Sequence, residues 1–306
     1  MKHSASISLR ARLTAAAAFG AAVVGMTAGP AVAEVRLQLG FQDREVARLV
    51  SLGGSCNRCE LSGRDLTGAA FNGANFTNAT LVGANLRGAG LVNSNFSGSD
   101  FSRADLGGAE MIGADFTGAN FTATQMTGAE AMGATLVRAR LPGAILTGAD
   151  LTGSNMNGAV LVGANLSNAE LNATTLANVQ ARSANFTGAE IAMSNLSNGD
   201  FRSVSFRDAT LNGSRLTGGS FVGANFSGAE MNRTDIRGAD LSRARGLRQE
   251  QVGAACGDAA TRLPNGLTAR TCRTVTLRIA HPRHAPRPPA PPVPPRVRNL
   301  VVAAER

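Results

Sequence analysis

The chain has 306 residues and a formal net charge of +9, with 36 glycines and neither tryptophan nor tyrosine. A globular core of this size would place aromatic residues at varied positions, yet eleven of the 13 phenylalanines share one phase of a five-residue register. This composition argues against a globular enzyme and favours a regular, repeated interior.

The first 33 residues have the pattern of an export signal. A basic head precedes an apolar stretch from Leu13 to Met26, and Ala31-Val32-Ala33 provides a small-residue cleavage site before Glu34. The apolar stretch is too short to span a membrane reliably. We therefore expect residues 1–33 to be removed, no membrane span in the mature protein, and a periplasmic or extracellular location.

Residues 34–60 form a predicted N-terminal capping segment. Within 42–52, Val46, Leu49 and Val50 share one face of a helix, so a short capping helix is expected there. The segment ends in a C-x-x-C motif made by Cys56 and Cys59.

A strict five-residue period occupies residues 61–241. Every fifth residue from Leu61 to Leu241 is Leu, Phe, Met or Ile, except Ala131 and Ala181. The period matches neither a helix at 3.6 nor a strand at 2, so it indicates a repeat architecture. A small residue lies two before most of these central positions, and glycine is common two after them, where a tight corner needs unusual backbone angles.

The period breaks after residue 241. Residues 242–279 are a predicted C-terminal cap, and 280–306 are a Pro/Arg-rich tail that is expected to be disordered. Residues 242–306 carry a net charge of +9, whereas 61–241 carry −3. Because the basic part has no aromatic residue for base stacking and follows an export signal, nucleic-acid binding is not expected.

Four cysteines lie outside the five-residue repeats. An even number of cysteines in an exported protein favours disulfides. For the C-x-x-C motif, redox catalysis and half of a zinc site are the alternatives; no thioredoxin-like context supports the first, and no second C-x-x-C supports the other. We expect structural disulfides and no metal, and the candidate residues are Cys56, Cys59, Cys256 and Cys272.

The repeat unit reads Ala–polar–Leu/Phe–polar–Gly, as in Ala74-Asn75-Phe76-Thr77-Asn78. It resembles the pentapeptide-repeat family, with consensus A-(D/N)-L-x-x. The resemblance implies an all-β fold, a right-handed quadrilateral β-helix of about nine coils with short helical caps. Four pentapeptides then make one coil of 20 residues, so residues 20 apart lie above one another.

This geometry makes several predictions about the interior. Phenylalanines 20 residues apart should stack, Val179 should point inward to fill the volume lost at Ala181, and Pro142 should lie at a corner. At Ala131 we expect a local defect or an inward turn of Met132. The two predicted Phe stacks are Phe76, Phe96, Phe116 and Phe186, Phe206, Phe226.

Arranging the chain in coils of 20 also aligns five carboxylates in one exposed column. The column could bind a cation, a basic partner or the chain's own basic tail. The alternative is chance, because acidic residues are common at the position that precedes the central residue. The five residues are Glu110, Glu130, Asp150, Glu170 and Glu190.

The repeats offer little for catalysis, because they contain no His, Cys, Lys, Tyr or Trp. We therefore predict no enzyme activity, no catalytic residues and no cofactor. The expected function is a non-catalytic exported scaffold in the cell envelope, with an unidentified protein or envelope component as partner. The alternative, implied by the family resemblance, is a DNA-mimicking protein that interacts with gyrase.

Overall fold

The computed structural model describes residues 54–272. The predicted export signal, the predicted helix within 42–52 and the tail 280–306 lie outside this range. Between residues 54 and 272 the backbone has one helix, α1 (Gln249–Ala254), and otherwise single-residue parallel bridges separated by turns.

Each pentapeptide folds in the same way, and the unit that starts at Phe71 is representative. Phe71 points into the core, Asn72 and Gly73 make a turn, Ala74 points inward again, and Asn75 forms a bridge. The Ala74 N–H closes the turn by donating to the Phe71 carbonyl oxygen at 3.0 Å. Gly73 has a φ of 68°, in the left-handed region that glycine enters without strain. Glycine is therefore frequent here because the corner requires this angle.

The parallel bridges connect residues 20 apart. They extend from Ser55–Asn75 to Asn225–Arg245, and the spacing then rises to 21 in Asp235–Cys256 and to 22 in Asp240–Arg262. Since each pentapeptide makes one side, a spacing of 20 produces four sides. The spacing increases where α1 is inserted, so the ladder continues past the last regular repeat.

The core is filled by the central residues and by the small residues two before them. Phe76, Phe96 and Phe116 stack with ring centroids 4.7 and 5.7 Å apart. The second stack has centroid distances of 5.4 and 5.2 Å and contains Phe186, Phe206 and Phe226. The structure confirms both predicted stacks.

The predictions for the two small central residues, Ala181 and Ala131, have different outcomes. Val179 is 1% exposed and lies in the core beside Ala181, as predicted. The predicted inward turn of Met132 at Ala131 is wrong, because Met132 is 36% exposed. Met132 occupies a turn position, where the backbone conformation sets the direction of its side chain. The backbone is regular there, because the Ala131 and Gly133 N–H groups donate to carbonyl oxygens of the next coil at 2.7 and 2.9 Å. Pro142 occupies a turn position as predicted.

A row of buried hydroxyls lines one inner corner. The Thr174 and Thr234 hydroxyls each donate to the carbonyl oxygen 23 residues earlier, at 2.9 Å. For Ser154 the equivalent carbonyl belongs to Ala131, but the buried Ser154 Oγ has no hydrogen-bond partner among residues 54–272. The local defect beside Ala131 is therefore the unpaired Ser154 hydroxyl, whereas the backbone hydrogen bonds there stay regular.

Because Ser194 is hydrogen-bonded and Ser154 is not, their substitution by alanine should affect stability differently. Ser194→Ala should lower the free energy of unfolding by about 1–3 kcal/mol, because it removes the donor to Leu171 O and the acceptor of the Thr174 N–H. Ser154→Ala should leave stability unchanged or raise it. Urea unfolding followed by far-ultraviolet circular dichroism measures both, since the chain has no Trp or Tyr. An equal loss in the two variants would contradict this.

The C-terminal segment packs against the end of the core through α1 and the loop after it. Val252 in α1 is fully buried, and Leu247 and Leu263 pack on the core from either side of the helix. The Gln251 amide donates to the carbonyl oxygens of Phe226 and Ala229, at 2.9 and 2.7 Å. Nowhere in residues 54–272 is a helix long and apolar enough to cross a bilayer.

Candidate binding face

The five predicted carboxylates lie directly above one another on one side of the solenoid. Parallel bridges connect Glu110 to Glu130, and so on along the ladder to Glu190. We call the set Glu110, Glu130, Asp150, Glu170 and Glu190 the acidic column. All four glutamates are exposed, and Asp150 is half-buried, with its Oδ1 accepting the Thr152 N–H at 2.9 Å. Thr210 follows the column, and Glu230 lies one coil further on.

No basic side chain within residues 54–272 forms an ion pair with the acidic column. The polar side chain that does reach it is Asn172, whose amide donates to Glu190 at 3.3 Å. At a coil spacing of about 5 Å, neighbouring carboxylates in water repel by roughly 0.8 kcal/mol. Among residues 54–272 the column is therefore a row of negative charge that no ion pair compensates.

Several carboxylates elsewhere on the solenoid are paired with arginine. Asp200 lies between Arg182 and Arg202, and the Arg202 Nε donates to it at 2.8 Å. Hydrogen bonds from Arg202 and then from Arg182 hold the pKa of Asp200 well below its usual range, against the opposing effect of burial. The Arg237 guanidinium lowers the pKa of Asp235 in the same way.

These bonds predict loss of stability in acid. A carboxyl group whose pKa is lowered on folding contributes stability above its unfolded pKa, near 4, and loses it as the pH falls towards the folded value. We expect the melting temperature to fall as the pH is lowered from about 5 to about 2. Asp200→Asn should melt lower at pH 7 and lose less on acidification. An unchanged pH profile in the variant would contradict a role for Asp200.

A row of apolar side chains flanks the acidic column at the adjoining corner. Val92 and Ile112 are half-buried and Met132 is exposed, and each lies two residues after a bridging residue of the acidic side. The row is not apparent from the bridging positions, because its members occupy turn positions. Arranging the turn positions in steps of 20 would have found it.

The described part of the surface has two shallow depressions with polar linings. One is lined by residues that include Asp100, Ser102 and Asn120, and the other by residues that include Met193, Arg215 and Asp235. The Ser102 hydroxyl donates to Asp100, and Asp235 is bound to Arg237. Neither depression contains a histidine, lysine or free thiol to act as base or nucleophile, so neither forms a recognisable active site.

The four cysteines form two disulfides. Cys56 is joined to Cys59 with a Cα–Cα distance of 5.4 Å, and Cys256 to Cys272 at 4.7 Å. The first connects neighbouring positions of one coil, and the second joins the end of α1 to residue 272. No cysteine is free in the described part of the chain.

Comparisons with known proteins agree with this architecture. The family model described as "Pentapeptide repeats (8 copies)" matches residues 55–91, 94–130, 132–168, 164–202 and 205–243. Among solved structures, HetL is similar: a pentapeptide repeat protein involved in heterocyst differentiation regulation in the cyanobacterium Nostoc sp. strain PCC 7120. It is 25% identical, with 71% of this chain and 97% of HetL covered and a TM-score of 0.53.

Two other solved structures have lower TM-scores. QnrB1, a plasmid-mediated fluoroquinolone resistance protein, is 17% identical over 67% of this chain and 91% of its own, with a TM-score of 0.46. A pentapeptide repeat protein of the Arabidopsis thaliana thylakoid lumen is 30% identical over 39% of this chain and 73% of its own, with a TM-score of 0.20. No curated protein matches the chain significantly.

The matched ranges cover more than half of the 306 residues, in the register that the bridges show. Members of this family form right-handed quadrilateral β-helices, in agreement with the four sides and the 20-residue ladder described above. The chain belongs to the pentapeptide-repeat family.

Proposed function

We propose that this protein is a non-catalytic, exported scaffold that binds a basic protein partner on its acidic side. The export signal predicted in residues 1–33 supports a location outside the cytoplasm. The proposal includes a rod of about nine coils, closed at its C-terminal end by α1 and the Cys256–Cys272 loop. A rigid rod of this kind presents flat faces and not a cleft, which suits binding to another macromolecule.

The observation that carries the proposal is the acidic column, which no arginine of residues 54–272 compensates. Arginines neutralise Asp105, Asp200, Asp235 and Asp240 within the rod, but none reaches the column. Its charges repel one another, and a basic partner would relieve this repulsion while adding attraction of its own. The adjoining Val92, Ile112 and Met132 supply apolar surface beside the charges.

The binding test compares two triple variants with the same change in net charge. The column variant carries Glu130→Gln, Asp150→Asn and Glu170→Gln. The control carries Asp100→Asn, Asp105→Asn and Asp115→Asn, one substitution on each of the other three sides. Asparagine already occupies these three sides, at Asn75, Asn85 and Asn120, and makes the same bond to the following turn, so the control should fold normally.

The probe is a labelled hepta-arginine peptide, followed by fluorescence anisotropy at low salt. Loss of the three column charges should weaken binding about tenfold, the factor that corresponds to about 1.4 kcal/mol. The control triple should bind nearly as the unsubstituted protein does. Equal weakening in both variants would mean that net charge, and not the column, attracts the peptide.

Location is tested separately by expressing the full chain in a bacterial host and fractionating the cells. The expected product is periplasmic or secreted and begins at Glu34. A full-length cytoplasmic product that inhibits DNA supercoiling by gyrase would overturn the proposal in favour of the DNA-mimic alternative.

A further inference from the structure

A carboxylate and two cysteine sulfurs converge beside the last regular coil. Asp235 Oδ1 lies 3.8 Å from Cys272 Sγ, and the potential ligand atoms of Asp235, Cys256 and Cys272 all lie within 4.8 Å of one another. All three residues are half-buried. They form the one group of three or more potential metal-ligating side chains found in the described range 54–272.

The backbone holds these three residues together without help from the disulfide. Asp235 and Cys256 form a parallel bridge, with the Cys256 N–H donating to Thr234 O at 2.9 Å. Cys272 is returned to the same place by a bridge between Gly257 and Thr271 and by its own N–H, which donates to Gly257 O at 3.2 Å. The three side chains should therefore stay close after the sulfur–sulfur bond is cut.

Reduction would turn this cluster into a set of zinc ligands. A dithiol or phosphine supplies two electrons, the sulfur–sulfur bond breaks, and each sulfur takes a proton; the reductant ends as a disulfide or a phosphine oxide. A divalent ion then displaces the two thiol protons. Two ligands around a tetrahedral zinc, one sulfur and one oxygen, are roughly 3.6 Å apart at normal bond lengths. The present distance of 3.8 Å between Asp235 Oδ1 and Cys272 Sγ is close to this value.

We propose that, when the Cys256–Cys272 disulfide is reduced, Asp235, Cys256 and Cys272 bind a divalent transition-metal ion such as Zn²⁺, with water in the fourth position. Thiolate and carboxylate ligands with one open position suit zinc and cobalt. The site is independent of the acidic column and of the partner proposed for it. Its oxidised form pins the C-terminal loop by a covalent bond, and its reduced form would do so through the metal.

Two features of the structure sharpen this proposal. The Cys56–Cys59 disulfide has no third ligand of this kind among the described residues, so its reduction should create no comparable site. Arg237 competes for the Asp235 carboxylate, donating to it from Nε at 2.9 Å and from Nη2 at 2.6 Å. Removing this guanidinium should free the carboxylate and tighten metal binding, an effect that a purely structural Asp235 would not produce.

The experiment titrates the full chain with Co²⁺ after reduction by a phosphine, and follows the thiolate-to-cobalt charge-transfer absorption. The reduced protein should bind one Co²⁺, which Zn²⁺ should displace, and the oxidised protein should show no band. The band should survive Cys56→Ser/Cys59→Ser and disappear in Cys256→Ser/Cys272→Ser. Asp235→Asn should weaken binding by about tenfold or more, and Arg237→Gln should strengthen it.

Circular dichroism of each variant checks that the solenoid is intact. Survival of the band without Cys256 and Cys272, or its absence from the reduced unsubstituted protein, would overturn the proposal. So would unchanged affinity in both Asp235→Asn and Arg237→Gln. If Asp235→Asn fails to fold, the Arg237→Gln titration decides whether the carboxylate is a ligand.

Discussion

Replacing Phe206 with alanine is expected to lower the free energy of unfolding by about 3–5 kcal/mol. The Phe206 ring is fully buried and stacks on Phe186 and Phe226, with centroids 5.4 and 5.2 Å away. It also contacts the rings of Phe201 and Phe221. Because the coils above and below are held by continuous backbone ladders, they cannot collapse into the space, and most of the cavity should remain.

Urea unfolding followed by circular dichroism measures this loss, and Met132→Ala is the matched control. Met132 is exposed at a corner, so its truncation should change stability by no more than about 0.5 kcal/mol. A small effect of Phe206→Ala, comparable with that of Met132→Ala, would show that the coils close around the missing ring and that the core is less rigid than described.

The second large effect concerns the pair Val179 and Ala181. Ala181→Leu should destabilise the protein by about 1–3 kcal/mol, because Val179 already occupies part of the space that a central leucine needs. Val179→Ala alone should also destabilise, by leaving a cavity. The double variant should be within about 1 kcal/mol of the unsubstituted protein, since the Ala-x-Leu pattern it creates already exists one coil earlier, at Ala159 and Leu161.

One coil later, on the same side of the solenoid, the sizes of the two inward residues are reversed. There the central residue is the larger Phe201, and the inward residue two before it is Gly199, where a Cβ would collide with the Phe201 ring. Gly219 and Phe221 repeat this arrangement, with 2.8 Å between the hypothetical Cβ and Cε2. Strict additivity of Ala181→Leu and Val179→Ala in the double-mutant cycle would argue against this shared volume.

Much of the fold follows from the sequence because a single local rule is repeated. A turn that returns the chain inward every five residues places each central residue inside and each preceding residue on a face. The period, together with the 20-residue coil that the family resemblance implied, therefore predicted the Phe stacks, the buried Val179 and the alignment of Glu110 to Glu190. It failed at Met132, since the direction of a turn side chain depends on the backbone angles at the corner and not on how much space the core has left.

The sequence did not predict which carboxylates pair with arginine. Asp200 and Glu170 occupy equivalent register positions on different sides. Within residues 54–272, two arginines bind Asp200 and none binds Glu170. The difference depends on whether a long arginine side chain on a neighbouring corner can reach back across the face. Register positions identify neighbours, but they do not show which rotamer an arginine adopts.

By itself the sequence determined the five-residue period and the even set of four cysteines, because these follow from local spacing and residue type. Its resemblance to the pentapeptide-repeat family then implied the side of the solenoid on which each residue lies. Tertiary structure alone decided which carboxylates are neutralised and that Asp235 lies beside Cys256 and Cys272. Asp235 and Cys272 are 37 residues apart, and the loop that returns Cys272 follows no period. Long-range packing against the last coil sets that distance, and no local pattern encodes it.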